Sequence, residues 1–358
     1  MQPPIRWSHQ PAQQAFADEE IRRSWDQLNG QHGNLPILDA AAVRAALQTF
    51  DDGRQWLAIA HDRDGLAAMI VASRSGPMQW QCYQPSQLPV GCWVARAGLT
   101  PLGVATRALS GMPTTCWVMS LTQIDPLLHE RPADTDRVQT ADYIETAWLD
   151  LRGSFDDYWA ARGKNLRQNL RKQRKKIADD GVQATMHILR SASDMAQAVA
   201  RYGVLEASGW KAAQGTAIHP DNDQGRFYTQ WLQDAAHRGE AFVTEYTFGD
   251  RTVAMNLGLL RAGTLIVLKT TYDESHKALS PASLLREDEL KSFFADGEVR
   301  RIEYFGRRLE WHTRLTDTHR TLYHLTAYRW AWLQRLAQAR RRRVAAAETE
   351  QTPTTSDG

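Results

Sequence analysis

Ser280-Pro281-Ala282-Ser283 follows a strand-like run and heads an apolar-periodic stretch that ends at Gly297, the pattern of a helix opening on the end of a sheet. The first amides of such a helix lack intrahelical acceptors and its dipole is positive there, so the chemistry these residues point to is the holding of an anion. Eleven positions before Ser280, Lys269 interrupts the apolar run LIVLKTTY. A lysine in that setting either faces water on a half-buried strand or needs a partner, because an unpaired buried charge is costly. Asp273 and Glu274 close the run; they are general bases only if an attacking group lies within hydrogen-bond reach, and turn acids otherwise.

Three strands must position these residues. AFVTEYTF, TVAMNLGLL and TLIVLKTTY are rich in β-branched and aromatic side chains and are separated by Gly249-Asp250 and Ala262-Gly263, which predicts two hairpins. A polar loop from Asp273 to Leu279 leads to the helix SPASLLREDELKSFFADG, in which Ser280 is expected to cap the first turn. RRIEYFG then returns as a last strand, parallel to the third, because a helical crossover of this length joins parallel neighbours.

The chain has 358 residues, enough for two domains with their own cores, and its 42% hydrophobic and 23% charged composition is that of a globular protein. A net charge of +2 excludes a chain that is polycationic throughout, so any anionic partner must meet a local patch. One such patch is KNLRQNLRKQRKKI: from Arg162 to Lys176 it carries eight cations with no acid until Asp179, while Leu166, Leu170 and Ile177 give the same helix one apolar face. Cys82, Cys92 and Cys116 have no Cys-x-x-Cys spacing, which argues against zinc and disulfides and fits a reducing compartment. The N-terminal residues lack the apolar core of a signal peptide, and no apolar run approaches the ~20 residues of a membrane span, so the expected location is the cytoplasm.

The order of elements occurs twice. In the first half, helices over Asp18–Leu28 and AAAVRAALQTF precede the hairpin QWLAIAHD/GLAAMIVAS, an extended stretch from Met78 to Tyr83, a Thr100-Pro101 helix start and a buried strand. This is read as an internal duplication of one α/β unit. LLHERPADTDRVQTAD is the linker candidate between the halves, giving expected domains at 1–150 and 151–338, with a basic helix end and tail over 339–358.

The series YW…KNLRQNLRKQRKKI…G, EASGWK…GTAI, FY, VAMNLGL, LIVLKTTYDE, SPASLL and EYFG resembles the second half of the Fem-like branch of the GNAT acyltransferase superfamily, and within it the CelD-like acetyltransferases of bacterial cellulose and polysaccharide biosynthesis. It runs from about Phe155 to Gly306. The resemblance implies an α/β tandem GNAT-like fold of two mixed sheets flanked by helices, with the chemistry in the second unit. It further implies transfer of an acyl group from acetyl-CoA or another acyl-CoA to an amine or hydroxyl of a small-molecule or saccharide acceptor, without a metal.

On the same basis the donor enters where the third and fourth strands splay, with Lys277, Ser280, Ala282 and Ser283 as its binding residues. Lys269 binds substrate or polarises the thioester carbonyl; from their positions, Asp273 is either a base or an ordinary turn acid, and Tyr304 either protonates the leaving thiolate or simply packs. Trp210 and Lys211 either shape the acceptor pocket or plug a helix end. The basic face attracts a phosphorylated acceptor, the CoA 3′-phosphate, tRNA or an anionic lipid surface, in the last case at the periphery of the inner membrane. Two departures are visible: His276-Lys277-Ala278 stands in place of a glycine-rich phosphate turn, and RRLEWHTRL in place of a terminal glycine-rich turn with a Tyr-Lys pair. No Ser-His-Asp order and no cysteine in a basic setting suggests an acyl-enzyme, so direct attack in a ternary complex fits best. Two other readings share the fold: a Fem-type transferase using aminoacyl-tRNA, and a catalytically inactive scaffold protein.

Overall fold

The computed structural model describes residues 5–207 and 218–350. In chain order, β1 (Arg6–Pro11), α1 (Ala12–Ala15), α2 (Glu19–Gln31) and α3 (Ala40–Phe50) precede β2 (Trp56–Asp62), β3 (Gly65–Gly76), β4 (Gln79–Cys82) and β5 (Trp93–Ala95). Then come α4 (Pro101–Ala108), β6 (Val118–Ile124), β7 (Val138–Asp150), α5 (Phe155–Ala160), α6 (Lys164–Asp179), β8 (Ala184–Leu189), α7 (Ala192–Ala207) and α8 (Asp223–His237). The chain closes with β9 (Ala241–Phe248), β10 (Arg251–Arg261), β11 (Thr264–Tyr272), α9 (Pro281–Asp296), β12 (Arg301–Tyr304), α10 (Glu310–Thr313), β13 (His319–Tyr328) and α11 (Ala331–Glu350). None of the described helices is long and apolar enough to cross a membrane.

The chain forms two compact units that interleave in sequence: residues 1–40, 51–143 and 322–358 make the first, and residues 41–50 and 144–321 the second. This differs from a cut at 150. The expected linker runs into β7, whose hydrogen-bonded ladder begins at Val138, and α3 joins the second unit because Arg44, Gln48 and Phe50 meet Asp234, Gln230 and Phe227 of α8. Both units build an α/β mixed sheet of the expected class. In the first, β4 and β6 are parallel neighbours joined through α4, whose Thr100 side chain accepts from the Gly103 amide. In the second, the order is β7-β12-β11-β10-β9-β8, with β11 and β12 parallel and joined through α9.

Local chemistry explains the second unit. Ala262 and Gly263 both take positive φ (49° and 81°), as a two-residue hairpin turn between twisted strands requires. The helix expected over the basic segment is two helices, broken at Gly163, whose ψ of 132° is extended. Leu284 and Leu285 of α9 pack with Leu170 and Ile177 of α6 and with Tyr246 of β9. Leu290 and Phe293 pack with Phe242, Leu265 and Ile302. Each such side chain contributes roughly 1.5–3 kcal/mol by leaving water, which holds α9 on the sheet along its whole length.

Candidate active site

Parallel pairing between β11 and β12 is short. Thr264, Leu265 and Ile266 pair with Arg301, Ile302 and Glu303, after which β12 ends at Tyr304 while β11 runs on to Tyr272. Against β10, Leu257 faces Lys269 and Gly258 faces Val267, so Leu268 is an extra residue in β11. Such a bulge bends the strand and re-aims its side chains. The two strands therefore diverge where α9 begins.

The start of α9 is unusual. Ser280 sits at φ +53°, in the left-handed region, and its hydroxyl makes no cap bond, which corrects the expectation of a serine cap. Ser283 and Leu284 donate their amides to the Ser280 carbonyl at 2.9 and 3.1 Å. Pro281 has no N–H, and the Ala282 amide has no acceptor among the described residues. A second helix begins close by: α6 starts at Gly163 with no side-chain cap, and the amides of Lys164, Asn165 and Leu166 likewise have no acceptor among the described residues.

Both helix starts open on one cavity of about 530 Å³, lined by Gly163, Asn165 and Leu166 from α6, by Ser280 and Ser283 from α9, and by Arg162, Thr313, Arg314 and Asp317. That volume is in the range of small-ligand sites, and two helix starts with two arginines against one carboxylate, Asp317, leave the lining net positive. Arg162 is held in place: its Nη1 donates to the Leu315 carbonyl at 2.8 Å and its guanidinium lies 4.9 Å from the Tyr158 ring centroid.

Of the residues singled out in the sequence, Ser280 and Ser283 line this cavity and Ala282 sits at its helix start. Lys277 is exposed on the 3₁₀ segment Glu274–Leu279 between β11 and α9 and does not line it. Lys269 contacts the α7–α8 layer: Nζ is 3.6 Å from Glu206 Oε1, 3.3 Å from Gln224 Oε1, and 5.6 Å from the Tyr228 ring centroid. Thr270, the next residue, contacts Arg286 of α9. Lys269 is thus a paired lysine, and alternation along the strand gives it and Thr270 different neighbours.

Asp273 is a cap. Its carboxylate accepts from Ser275 N (2.9 Å), Ser275 Oγ (2.6 Å) and Arg251 Nη2 (2.7 Å), with His276 Nδ1 at 3.2 Å. Burial alone would raise its pKa, but the Ser275 bonds and the Arg251 charge hold it below the ordinary value. A carboxylate so engaged is a weaker base than a free one. Trp210 and Lys211 lie outside the described residues.

Tyr304 is buried, with its ring edge-on to Trp311 (5.3 Å) and His312 (4.9 Å) of α10. Burial raises its phenol pKa, so the group keeps its proton. His312 stays neutral, because burial lowers its pKa to about 4, and its Nδ1 accepts the Leu309 amide at 2.8 Å. Between β11 and Trp311 lies Arg286, which donates to Thr270 Oγ1 at 3.0 Å and sits 3.9 Å from the Trp311 ring centroid. The divergence of the strands is therefore bridged by side chains, and the open volume lies on the α6 side of the α9 start.

Sequence reasoning placed Arg162 in the basic face and did not single out Arg286, Thr313, Arg314 or Asp317. Arg286 carried one signal, since it stands three residues after Ser283 and helical spacing puts both on one face. The residues of α10 carried none.

Residues 164–313 match the family model described as Acetyltransferase (GNAT) domain. That segment contains α6, β8 to β12, α9 and most of the cavity lining. Among solved structures, FemX superposes with a TM-score of 0.56 at 7% identity, over 88% of this chain and 98% of that one. L-PGS from Bacillus licheniformis gives 0.51 at 15% identity, over 87% and 92%. A conserved protein of unknown function from Bacteroides thetaiotaomicron VPI-5482 gives 0.51 at 11% identity, over 92% and 100%. At such identities the likeness is one of fold. No curated protein matches the sequence.

Proposed function

We propose that the chain is an N- or O-acyltransferase that takes its acyl group from acyl-CoA, acetyl-CoA first among the candidates, and transfers it to an amine or hydroxyl. The observation that carries this reading is the cavity between the uncapped starts of α6 and α9, most of whose lining falls in the segment that matches the GNAT domain model. The amides of Ala282 and of the first turn of α6, with Arg162, suit the diphosphate of the donor. Ser280 and Ser283 add hydroxyls, and Lys277 stands exposed nearby as a further donor contact. Direct attack fits these groups: the acceptor heteroatom bonds to the thioester carbonyl carbon and gives up a proton, the carbon–sulfur bond breaks, and the sulfur takes a proton. Tyr304 is assigned to supply it, although burial, by raising its phenol pKa, makes it a weaker acid. Lys269 is assigned to substrate binding, and Trp210 and Lys211 to the acceptor side.

Calorimetry with acetyl-CoA and longer acyl-CoAs tests this reading. Micromolar binding that weakens at least tenfold in Ser283→Asp supports it, because a carboxylate there repels the diphosphate; silence toward every thioester ends it.

A second reading, an aminoacyl-tRNA-dependent transferase, draws on one feature. On α6, Lys164, Arg171, Lys172, Lys175 and Lys176 are exposed and have no ion pair among the described residues, and they lie opposite the buried Leu170 and Ile177. The cations suit a polyanion such as tRNA, and equally an anionic lipid surface. Tight tRNA binding together with silence toward thioesters selects this reading; silence toward both leaves the scaffold reading. A cytoplasmic enzyme acting on a saccharide or cell-envelope acceptor, as the CelD-like resemblance implies, is the setting we favour.

A further inference from the structure

The last helix turns an apolar and cationic face away from its own fold. α11 is fixed on the first unit by its other side: Gln334 is buried, and its Nε2 donates to the Thr135 carbonyl at 2.7 Å. Just ahead of the helix, Arg329 donates from Nε to the Cys116 carbonyl (3.1 Å) and from Nη2 to the Leu109 carbonyl (2.5 Å). With Gln334 inward, helical spacing sets Trp332, Leu336 and Ala339 in a strip on the opposite side, with Arg335 and Arg342 along one flank and Arg340 along the other. All six are exposed, Trp332 to 48% and Leu336 to 60%.

The aromatic end of the strip is held rigid. Trp330 stacks on Trp332, with ring centroids 6.0 Å apart and planes 12° from parallel, and both stand edge-on to Trp117 at 5.4 and 6.1 Å. Packing on Trp117 thus fixes the two indoles without covering them, and no other tryptophan among the described residues is exposed. The charge on this face is of one sign. From Trp330 to Ala347 the chain has arginine at 335 and at 340–343 and no acid, and Arg335, Arg340 and Arg342 have no ion pair among the described residues.

We propose that this face is a membrane-surface anchor: Trp330, Trp332 and Leu336 enter the boundary between headgroups and acyl chains of an anionic bilayer, while the flanking arginines meet lipid phosphates. Tryptophan favours that level because its ring is apolar and its N–H polar, and arginine stems lie along an apolar strip while their heads reach the phosphates. A second copy of the chain fits less well. Two indoles and a leucine offer a few hundred Å², against roughly 800 Å² per partner in a stable dimer, and a twofold contact would set arginine against arginine. A polyanion such as RNA answers the arginines but leaves Leu336 without a role. The anchor does not depend on the acyl-CoA reading.

Flotation of the full chain with vesicles tests the proposal, using phosphatidylcholine alone and an equal mixture of phosphatidylcholine and phosphatidylglycerol. The wild type is expected to float with the mixed vesicles, to bind phosphatidylcholine at least tenfold less tightly, and to let go as salt rises. Leu336→Ser, and separately the triple variant Arg335→Gln, Arg340→Gln, Arg342→Gln, should weaken binding to the mixed vesicles, the triple variant at least tenfold. Both should unfold at the wild-type temperature, because these side chains are exposed. Bromine on the acyl chains should quench the tryptophan emission of the bound wild type, and most of that quenching should vanish in the double variant Trp330→Phe, Trp332→Phe. Failure of the wild type to bind mixed vesicles overturns the proposal, as does binding equal in wild type and the α11 variants. Binding kept in those variants but lost in Lys172→Glu, Lys175→Glu, Lys176→Glu assigns the lipid contact to α6 and overturns it as well. Without vesicle binding, dimers in sedimentation that Leu336→Ser abolishes assign the face to a second copy, and tRNA retention lost in the arginine variant assigns it to RNA; either result ends the anchor.

Discussion

Arg174 of α6 grips two successive acids of α9: its Nη2 is 2.7 Å from Glu287 Oε2 and 2.5 Å from Asp288 Oδ1. The pair fastens together the two helices whose first turns form the cavity. Burial opposes the charge on Arg174, but the two carboxylates outweigh it and raise the guanidinium pKa. Arg174→Met leaves Glu287, itself buried, without that partner. It is expected to lower stability by on the order of 2 kcal/mol and to weaken donor binding with it. Urea unfolding measures the first; a loss below about 0.5 kcal/mol would show that α6 is held by Leu170 and Ile177 alone.

Ser280 holds a positive φ directly before Pro281, a conformation that costs an ordinary side chain about 1–2 kcal/mol. Ser280→Gly is expected to be as stable as the wild type or slightly more so. Ser280→Val should lose about 2 kcal/mol, because a branched Cβ does not fit that region. Thermal unfolding of the two variants side by side decides it, and equal midpoints would mean that the turn relaxes out of the left-handed region.

Asp273 is expected to matter for stability and not for proton transfer. Its pKa is depressed by Ser275 and Arg251 against the pull of burial, so it contributes stability above the unfolded carboxylate value, and that contribution is lost as pH falls through the depressed folded value. Asp273→Asn should cost about 2 kcal/mol at neutral pH and flatten that acid-side loss. The pH dependence of acyl transfer should keep its shape; disappearance of its acidic limb would restore Asp273 as the base.

His312 carries the opposite chemistry with the same sign. Its imidazole is neutral in the fold down to about pH 4, whereas in the unfolded chain it protonates near 6.5, so between those values the unfolded state binds the extra proton. Stability is full above about 6.5 and declines as pH falls toward 4, by on the order of 2 kcal/mol from this residue. His312→Gln, which retains an acceptor for the Leu309 amide, should remove that part of the pH dependence. Denaturant titrations at pH 7 and pH 4.5 measure it, and an unchanged difference between the two would assign the effect to other groups.

The hairpins and the crossover were legible because each rests on neighbours in the chain. Ala262-Gly263 accepts the two positive φ values of a tight turn, TLIVLKTTY is the pattern of a strand, and a helix between two strands makes them parallel. The duplicated plan was legible for the same reason, as a repeated order of local signals. The unit boundary was not. Residues 138–142 are polar enough to resemble a linker, and only the place of β7 in the sheet shows them to be strand.

By itself the sequence determined that α9 begins at Pro281 with an amide to spare and that Lys269 needs a partner. Only the tertiary structure decided that the partner is Glu206, that the first turn of α6 faces the same cavity as Ser283, and that Arg286 rests on Trp311. Local propensity is a property of a few adjacent residues. A cavity or an ion pair is made by side chains that meet from distant parts of the chain, and no spacing rule in a single sequence records where they meet.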